Sequence, residues 1–119
     1  MKTMVQWLLV GDVAEGKAAA LRELMAEMVA GTKANEPGAL IYEWYLNEEE
    51  TRLEMLERFP DNAAAMTHLG LFGKNYASRF TPLFTSVAFH IHGAPGDDLR
   101  AALEPFGPAY FAEIGGFAR

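Results

Sequence analysis

The sequence predicts a single α+β domain in which two helices cover one face of an antiparallel sheet. Three observations lead there. Segments with strand and helix spacing alternate in the order β-α-β-β-α-β. A central hairpin is rich in aromatic and aliphatic residues on both of its faces. Half of the 119 residues are hydrophobic and none is cysteine, so a core formed by burial, without cross-links, must hold the fold.

The first strand spans about 4–11, where Trp7, Val10 and the leucines favour extended backbone and Gly11-Asp12 ends it. The run from Met1 to Val10 is too short, and lacks the small-residue cleavage pattern, to be a signal peptide. A helix follows over about 14–33, with Leu21, Leu24, Met25 and Met28 on one apolar stripe, and Pro37-Gly38 forbids its continuation. The second and third strands span about 39–47 and 52–59 around an acidic loop. Placing Asn47 opposite Thr51 sets Tyr42 against Leu56, Trp44 against Glu54, Tyr45 against Leu53 and Ile41 against Glu57. Asp61 is the N-cap of a second helix that runs to about Leu69, where Gly70 caps it. A further helical piece spans about 71–80. The fourth strand spans about 83–92, with Val87, Phe89 and Ile91 on one face and Ser86, Ala88, His90 and His92 on the other. A short helix over about 97–104 and an arm rich in Gly, Pro and aromatics, with a short strand at 109–114, complete the chain.

This order is that of a ferredoxin-like βαββαβ sandwich. Residues 1–93 form the domain, and residues 94–119 form a C-terminal extension, helix plus arm, packed on the same domain or on a dimer partner. Two helices cover one sheet face only, yet the second strand is apolar on both. Leaving large side chains wet forgoes about 1.5–3 kcal/mol each. A second copy packed sheet to sheet removes that cost, so a homodimer joined through the sheet faces is expected.

The formal net charge of −6, without a Lys/Arg cluster, disfavours nucleic acid and anionic membrane surfaces as partners. No run approaches the ~18 apolar residues of a membrane span. A cytoplasmic location is expected, although a cysteine-free chain suits any compartment.

Glu36-Pro37-Gly38, Tyr42-Glu43-Trp44-Tyr45, Glu57-Arg58-Phe59-Pro60-Asp61, Ala64 and His68 together resemble the antibiotic biosynthesis monooxygenase superfamily over roughly residues 3–92. The resemblance implies a small homodimeric α/β barrel with a pocket between sheet and helices in each subunit. Several members of that superfamily oxygenate phenols or quinols with O₂ and without metal or flavin, and others degrade haem. Members that attack polycyclic phenols use Asn, Trp and Tyr near the second helix. Here that region holds Asn62, Asn75 and Tyr76, while Trp7 and Trp44 both lie in strands. The Asn that haem-degrading members carry on the first strand is absent.

His68 is the candidate catalytic residue: a neutral imidazole on a pocket wall takes a phenol proton or binds a substrate hydroxyl. The alternative is a core or surface histidine with a backbone partner. Tyr42, Trp44, Phe72 and Tyr76 are candidates for binding a flat aromatic substrate, and apolar packing explains them equally. Glu43 and Glu57 lie mid-strand, either as pocket acids or as partners of Arg58, Arg52 or Arg79 across the dimer, and the ion-pair reading is the simpler. His90 and His92 share a strand face, but spacing fixes no third ligand, so no metal is expected. Cofactor-independent oxygenation of an electron-rich phenol or quinol is the leading functional expectation. A dimeric small-molecule-binding or stress-response protein without turnover is the alternative.

Overall fold

The computed structural model describes residues 2–119; Met1, where the expected domain begins, lies outside them. The chain runs β1 (Val5–Val13), α1 (Ala18–Asn35), β2 (Ile41–Leu46), β3 (Arg52–Phe59), α2 (Asn62–Asn75), α3 (Ala77–Phe80), β4 (Phe84–Gly93), α4 (Asp97–Leu103) and β5 (Ala109–Phe111), with 3-10 turns at Thr81–Leu83 and Glu104–Phe106. The five strands form one mixed sheet in the order β2-β3-β1-β4-β5. The first four are antiparallel in the ferredoxin-like order, and β5 adds in parallel to the β4 edge.

Alternation along β1 sends Val5, Trp7 and Leu9 into the core, with Leu53, Met55 and Phe59 beside them on β3 and Phe89 and Ile91 on β4. Leu21, Leu24 and Met28 of α1 meet this face, as does Ala65 of α2. Leu99 and Leu103 of α4 are fully buried in the same core, so the helix of the C-terminal extension lies in the same layer as α1 and α2. Asn62 ties it there: its side chain accepts from the Gly96 N–H at 2.6 Å and donates to Asp98 at 2.8 Å.

Three expectations change. Helix α1 starts at Ala18, not 14, because Gly16 takes a left-handed φ of 77° and Lys17 N–H closes a turn onto Ala14. Helix α2 does not stop at Leu69. It continues through Gly70 and Gly73 to Asn75, since an interior glycine costs only about 1 kcal/mol and the rest of the helix outweighs it.

The hairpin register is shifted by one. Asn47 pairs with Arg52, not Thr51: its N–H donates to the Arg52 carbonyl, and its side-chain oxygen accepts from the N–H groups of Thr51 and Arg52 at 2.8 Å each. Tyr42 therefore opposes Glu57, Trp44 opposes Met55, Tyr45 opposes Glu54 and Ile41 opposes Arg58. A one-residue slip exchanges sheet faces relative to the partner strand. Its consequence is that Glu57 shares the helix-covered face with Tyr42 and Trp7, instead of the open face with Ile41.

The open face carries Leu8, Val10, Ile41, Tyr45 and Leu56 among Gln6, Glu43, Glu54 and Arg58. Beyond β5 the arm leaves Ile114 and Phe117 in solvent. No helix among the described residues is long and apolar enough to cross a membrane.

Candidate active site

The site is one cross-strand row with a helix above it. Tyr42 on β2, Glu57 on β3 and Trp7 on β1 lie side by side, each opposite the next. Their closeness follows from antiparallel pairing, which sets facing residues about 4.5–5.5 Å apart at Cβ. The Trp7 indole N–H donates to Glu57 Oε2 at 2.6 Å.

His68 descends onto this row from α2. Asp61 caps that helix by accepting from the Ala64 N–H at 2.9 Å, which fixes where it begins; His68 then lies two turns in, about 10 Å along the axis. The fifth member arrives from the α1–β2 turn. Gly38 in that turn approaches α2 so closely that a Cβ there would sit 2.9 Å from Ala64 Cβ. This contact brings Glu36 against the helix. His68 Nδ1 donates to Glu36 Oε1 at 2.8 Å, and Nε2 donates to Glu57 Oε1 at 2.9 Å. All three side chains are buried, with relative exposures of 8% for Glu36, 3% for Glu57 and 5% for His68.

An imidazole bonded at both nitrogens to carboxylates donates twice, which requires the imidazolium form. Burial opposes that charge, but the hydrogen bond and field of Glu57, followed by those of Glu36, outweigh it and raise the His68 pKa above its ordinary value of 6.5. With both acids ionised the cluster carries one net negative charge. A group whose folded pKa is raised stabilises the fold fully below its unfolded pKa, and that contribution fades as pH climbs from about 6.5 through the raised folded value. Urea melts of the wild type are accordingly expected to lose stability over that alkaline-going window relative to His68→Gln. Parallel stability curves for the two proteins would contradict the assignment.

Beside the row lies a cavity of about 700 Å³, lined by Glu57 and His68 at one end. Its walls are apolar: Leu9 and Met55 from the sheet floor, Met66 and Phe72 from α2, with Phe89 of β4 and Leu103 of α4. Exposed lining residues, Gly70 and Gly73 on α2 and Phe106 after α4, mark where it opens. Of the residues singled out from sequence, His68, Tyr42 and Phe72 line this cavity. Trp44 does not; it packs edge-on to Tyr42 and Phe80, with ring centroids 6.0 Å from each. Tyr76 turns away, its hydroxyl lodged against Gly31 of α1.

Burial raises the Tyr42 pKa first and the Glu57 charge adds to it, so the phenol keeps its proton at neutral pH. Its hydroxyl sits beside Thr32 and Trp44 without hydrogen-bonding geometry, and all three buried polar atoms are left unpaired.

Within the single chain, the partners of Glu57 are His68 and Trp7. Arg58 donates to Gln6 at 2.7 Å on the opposite face, and Arg79 pairs with Glu27 on the helix surface. Glu43 is exposed on the open face. His90 and His92 lie near Phe111, and no three His, Cys, Asp or Glu side chains cluster as a metal site among the described residues.

Sequence reasoning missed Glu36 as a site residue, naming it only within the Glu36-Pro37-Gly38 motif. A signal existed. Glu36 is the C-cap of α1, where the helix macrodipole disfavours an acid. An acid there calls for a nearby cation, and His68 is that cation.

The family model for antibiotic biosynthesis monooxygenases matches residues 10–71, from the end of β1 into α2, a span that holds every residue of this cluster except Trp7. No curated protein matches the chain. Among solved structures it is similar to MupZ from Pseudomonas fluorescens, at 24% identity and TM-score 0.84 over 100% of this chain and 91% of that one. It is also similar to Rv0793 from Mycobacterium tuberculosis, at 27% identity and TM-score 0.67 over 80% and 97%. PA3566 from Pseudomonas aeruginosa matches at 23% identity and TM-score 0.61 over 76% and 93%. The matched span, the strand order and the Glu57-to-His68 segment agree, and the chain belongs to the antibiotic biosynthesis monooxygenase family.

Proposed function

We propose that the chain is a cofactor-independent monooxygenase that oxidises an electron-rich phenol or quinol with O₂, working as a homodimer joined through the open sheet face. The observation that carries this reading is the buried Glu57–His68 pair at the end of an apolar cavity.

A phenol in that cavity loses its proton to the pair. Glu57 is the receiving carboxylate, and His68 holds it in place. Glu36 on the far nitrogen gives the cluster a second carboxylate, and so a net negative charge with which to draw the proton. The resulting phenolate, poorly solvated by apolar walls, is electron-rich enough to reduce O₂ directly. Conversion of a ring CH₂ or its enol tautomer to C=O supplies four electrons; one oxygen atom enters the carbonyl and the other leaves as water. No outside reductant enters the balance. Tyr42 and Phe72 contact the substrate, while Trp44 and Tyr76 support those walls from behind.

The test is oxygen uptake with a panel of quinols and naphthols, for wild type and His68→Ala. Uptake by the wild type that falls at least tenfold in the variant supports the proposal. Uptake no faster than buffer overturns it, and if an aromatic ligand still raises the melting temperature, the chain is a binding protein of the same fold.

A further inference from the structure

Alternation along β3 sends Glu57 into the active site and its neighbour Arg58 to the opposite side of the sheet. There Arg58 on β3, Gln6 on β1 and His92 on β4 stand side by side as a second cross-strand row, on the open face. Arg58 Nε donates to Gln6 Oε1 at 2.7 Å, so the amide turns its NH₂ toward His92 Nδ1, 3.1 Å away. Nδ1 therefore accepts, and the His92 proton sits on Nε2. Burial, and after it the neighbouring His90, lowers the His92 pKa, in keeping with a neutral ring. The row is left with donors: the Arg58 Nη groups, the Gln6 amide and His92 Nε2–H.

A cavity of about 630 Å³ lies over this row, and the C-terminal arm forms its other wall, with Phe111, Glu113 and Phe117 on the lining. Lys2, also on the lining, pairs with Glu113, and those two charges cancel. No acid among the described residues pairs with Arg58. Arg58 is thus an uncompensated positive charge in a chain of net charge −6. Half-buried, it has exchanged part of its hydration for one hydrogen bond to a neutral amide. A carboxylate on its Nη groups would supply the charge-assisted, two-pronged pairing that a guanidinium favours. The space is larger than an inorganic ion needs, and Phe111 and Phe117, 50% and 79% exposed, give the arm's wall apolar surface. Because this wall belongs to the same chain, the cavity is framed without a second copy, which favours a small molecule over a partner's side chain as the occupant.

We propose that this cavity is a second ligand site, on the sheet face opposite the active site, which binds a small-molecule carboxylate through Arg58 and holds the apolar body of that ligand against Phe111 and Phe117 of the arm. The site is independent of the oxygenase reading and needs no turnover.

The experiment is calorimetric titration of the full chain at neutral pH with 1-naphthylacetate, its uncharged counterpart 1-naphthylacetamide and inorganic phosphate, on wild type, Arg58→Gln and Phe117→Ala. In the wild type, 1-naphthylacetate is expected to bind at least tenfold more tightly than the amide or phosphate. Arg58→Gln is expected to lose at least tenfold in 1-naphthylacetate affinity. Phe117→Ala removes an exposed ring, leaves the core untouched and is expected to lose at least threefold. Chymotrypsin cleavage of the arm at Phe111 and Phe117 should slow when 1-naphthylacetate is added to the wild type, and not when it is added to Arg58→Gln. Equal binding of acid and amide, phosphate binding as tight as that of 1-naphthylacetate, unchanged 1-naphthylacetate affinity in Arg58→Gln, or no binding to the wild type at millimolar concentration would each overturn the proposal. So would sedimentation in which Arg58→Gln dissociates an assembly that 1-naphthylacetate leaves intact, because the partner of Arg58 would then be an acid of a second copy.

Discussion

Glu57→Gln is expected to lower kcat/KM for oxygen uptake by about 10²–10⁴-fold, the range typical of a lost general base. The substitution keeps size and shape but removes the charge. It also misplaces a hydrogen bond. Glu57 accepts from Trp7 on one oxygen and from His68 on the other. An amide offers only one acceptor, so its NH₂ must face one of those donors, at a cost of about 1–3 kcal/mol. Glu36→Gln touches only the far side of His68 and leaves Glu57 charged. Its activity is expected to fall less, about tenfold, with a shift in the pH profile because the imidazolium loses one of its two anions. Oxygen uptake across pH, alongside urea melts, separates the two variants. If Glu57→Gln turned over substrate at the wild-type rate, the base would have to lie elsewhere.

Much of the path to this site was legible in the sequence. Hydrophobic spacing gave the strand and helix order, the Asp61 cap and the position of His68, because these depend on local chemistry: alternation, helical period and a side-chain cap. The register did not follow, because it depends on three hydrogen bonds made by the Asn47 side chain and on Glu50 taking a left-handed φ of 59° without being glycine. Nothing in Glu48-Glu49-Glu50 announces that turn. Yet β3 holds its own clue. Leu53, Met55 and Phe59 fall on one parity and Arg52, Glu54 and Arg58 on the other, with Leu56 and Glu57 exchanged. An acid on the apolar parity is one that the core must satisfy, and Trp7 and His68 do so. Gly70 misled for a related reason. A glycine near a helix end reads as a cap when neighbours are unknown, and here the helix runs on through it to Asn75.

The second large effect lies on the other side of the sheet. Leu8 on β1 opposes Leu56 on β3, with Val10, Ile41 and Tyr45 around them, and no helix among the described residues covers this face. Wild-type chain is expected to sediment at micromolar concentration with about twice its mass of 13.1 kDa, because covering these groups gains roughly 25 cal/mol per Å² of apolar area. Leu8→Glu is expected to yield monomers. In one chain the new carboxylate is free to stay in water, since Leu8 is only half-buried there. In a sheet-to-sheet dimer it would be buried without a partner, at a cost of several kcal/mol, enough to weaken association at least a hundredfold. A wild-type monomer, or a Leu8→Glu dimer of undiminished strength, would refute the interface. The cavity opens on the opposite face, where Leu9 and not Leu8 contributes to its floor. The monomeric variant should therefore still bind 1-naphthol, which would place ligand recognition in the single chain and leave assembly to the bare side of the sheet.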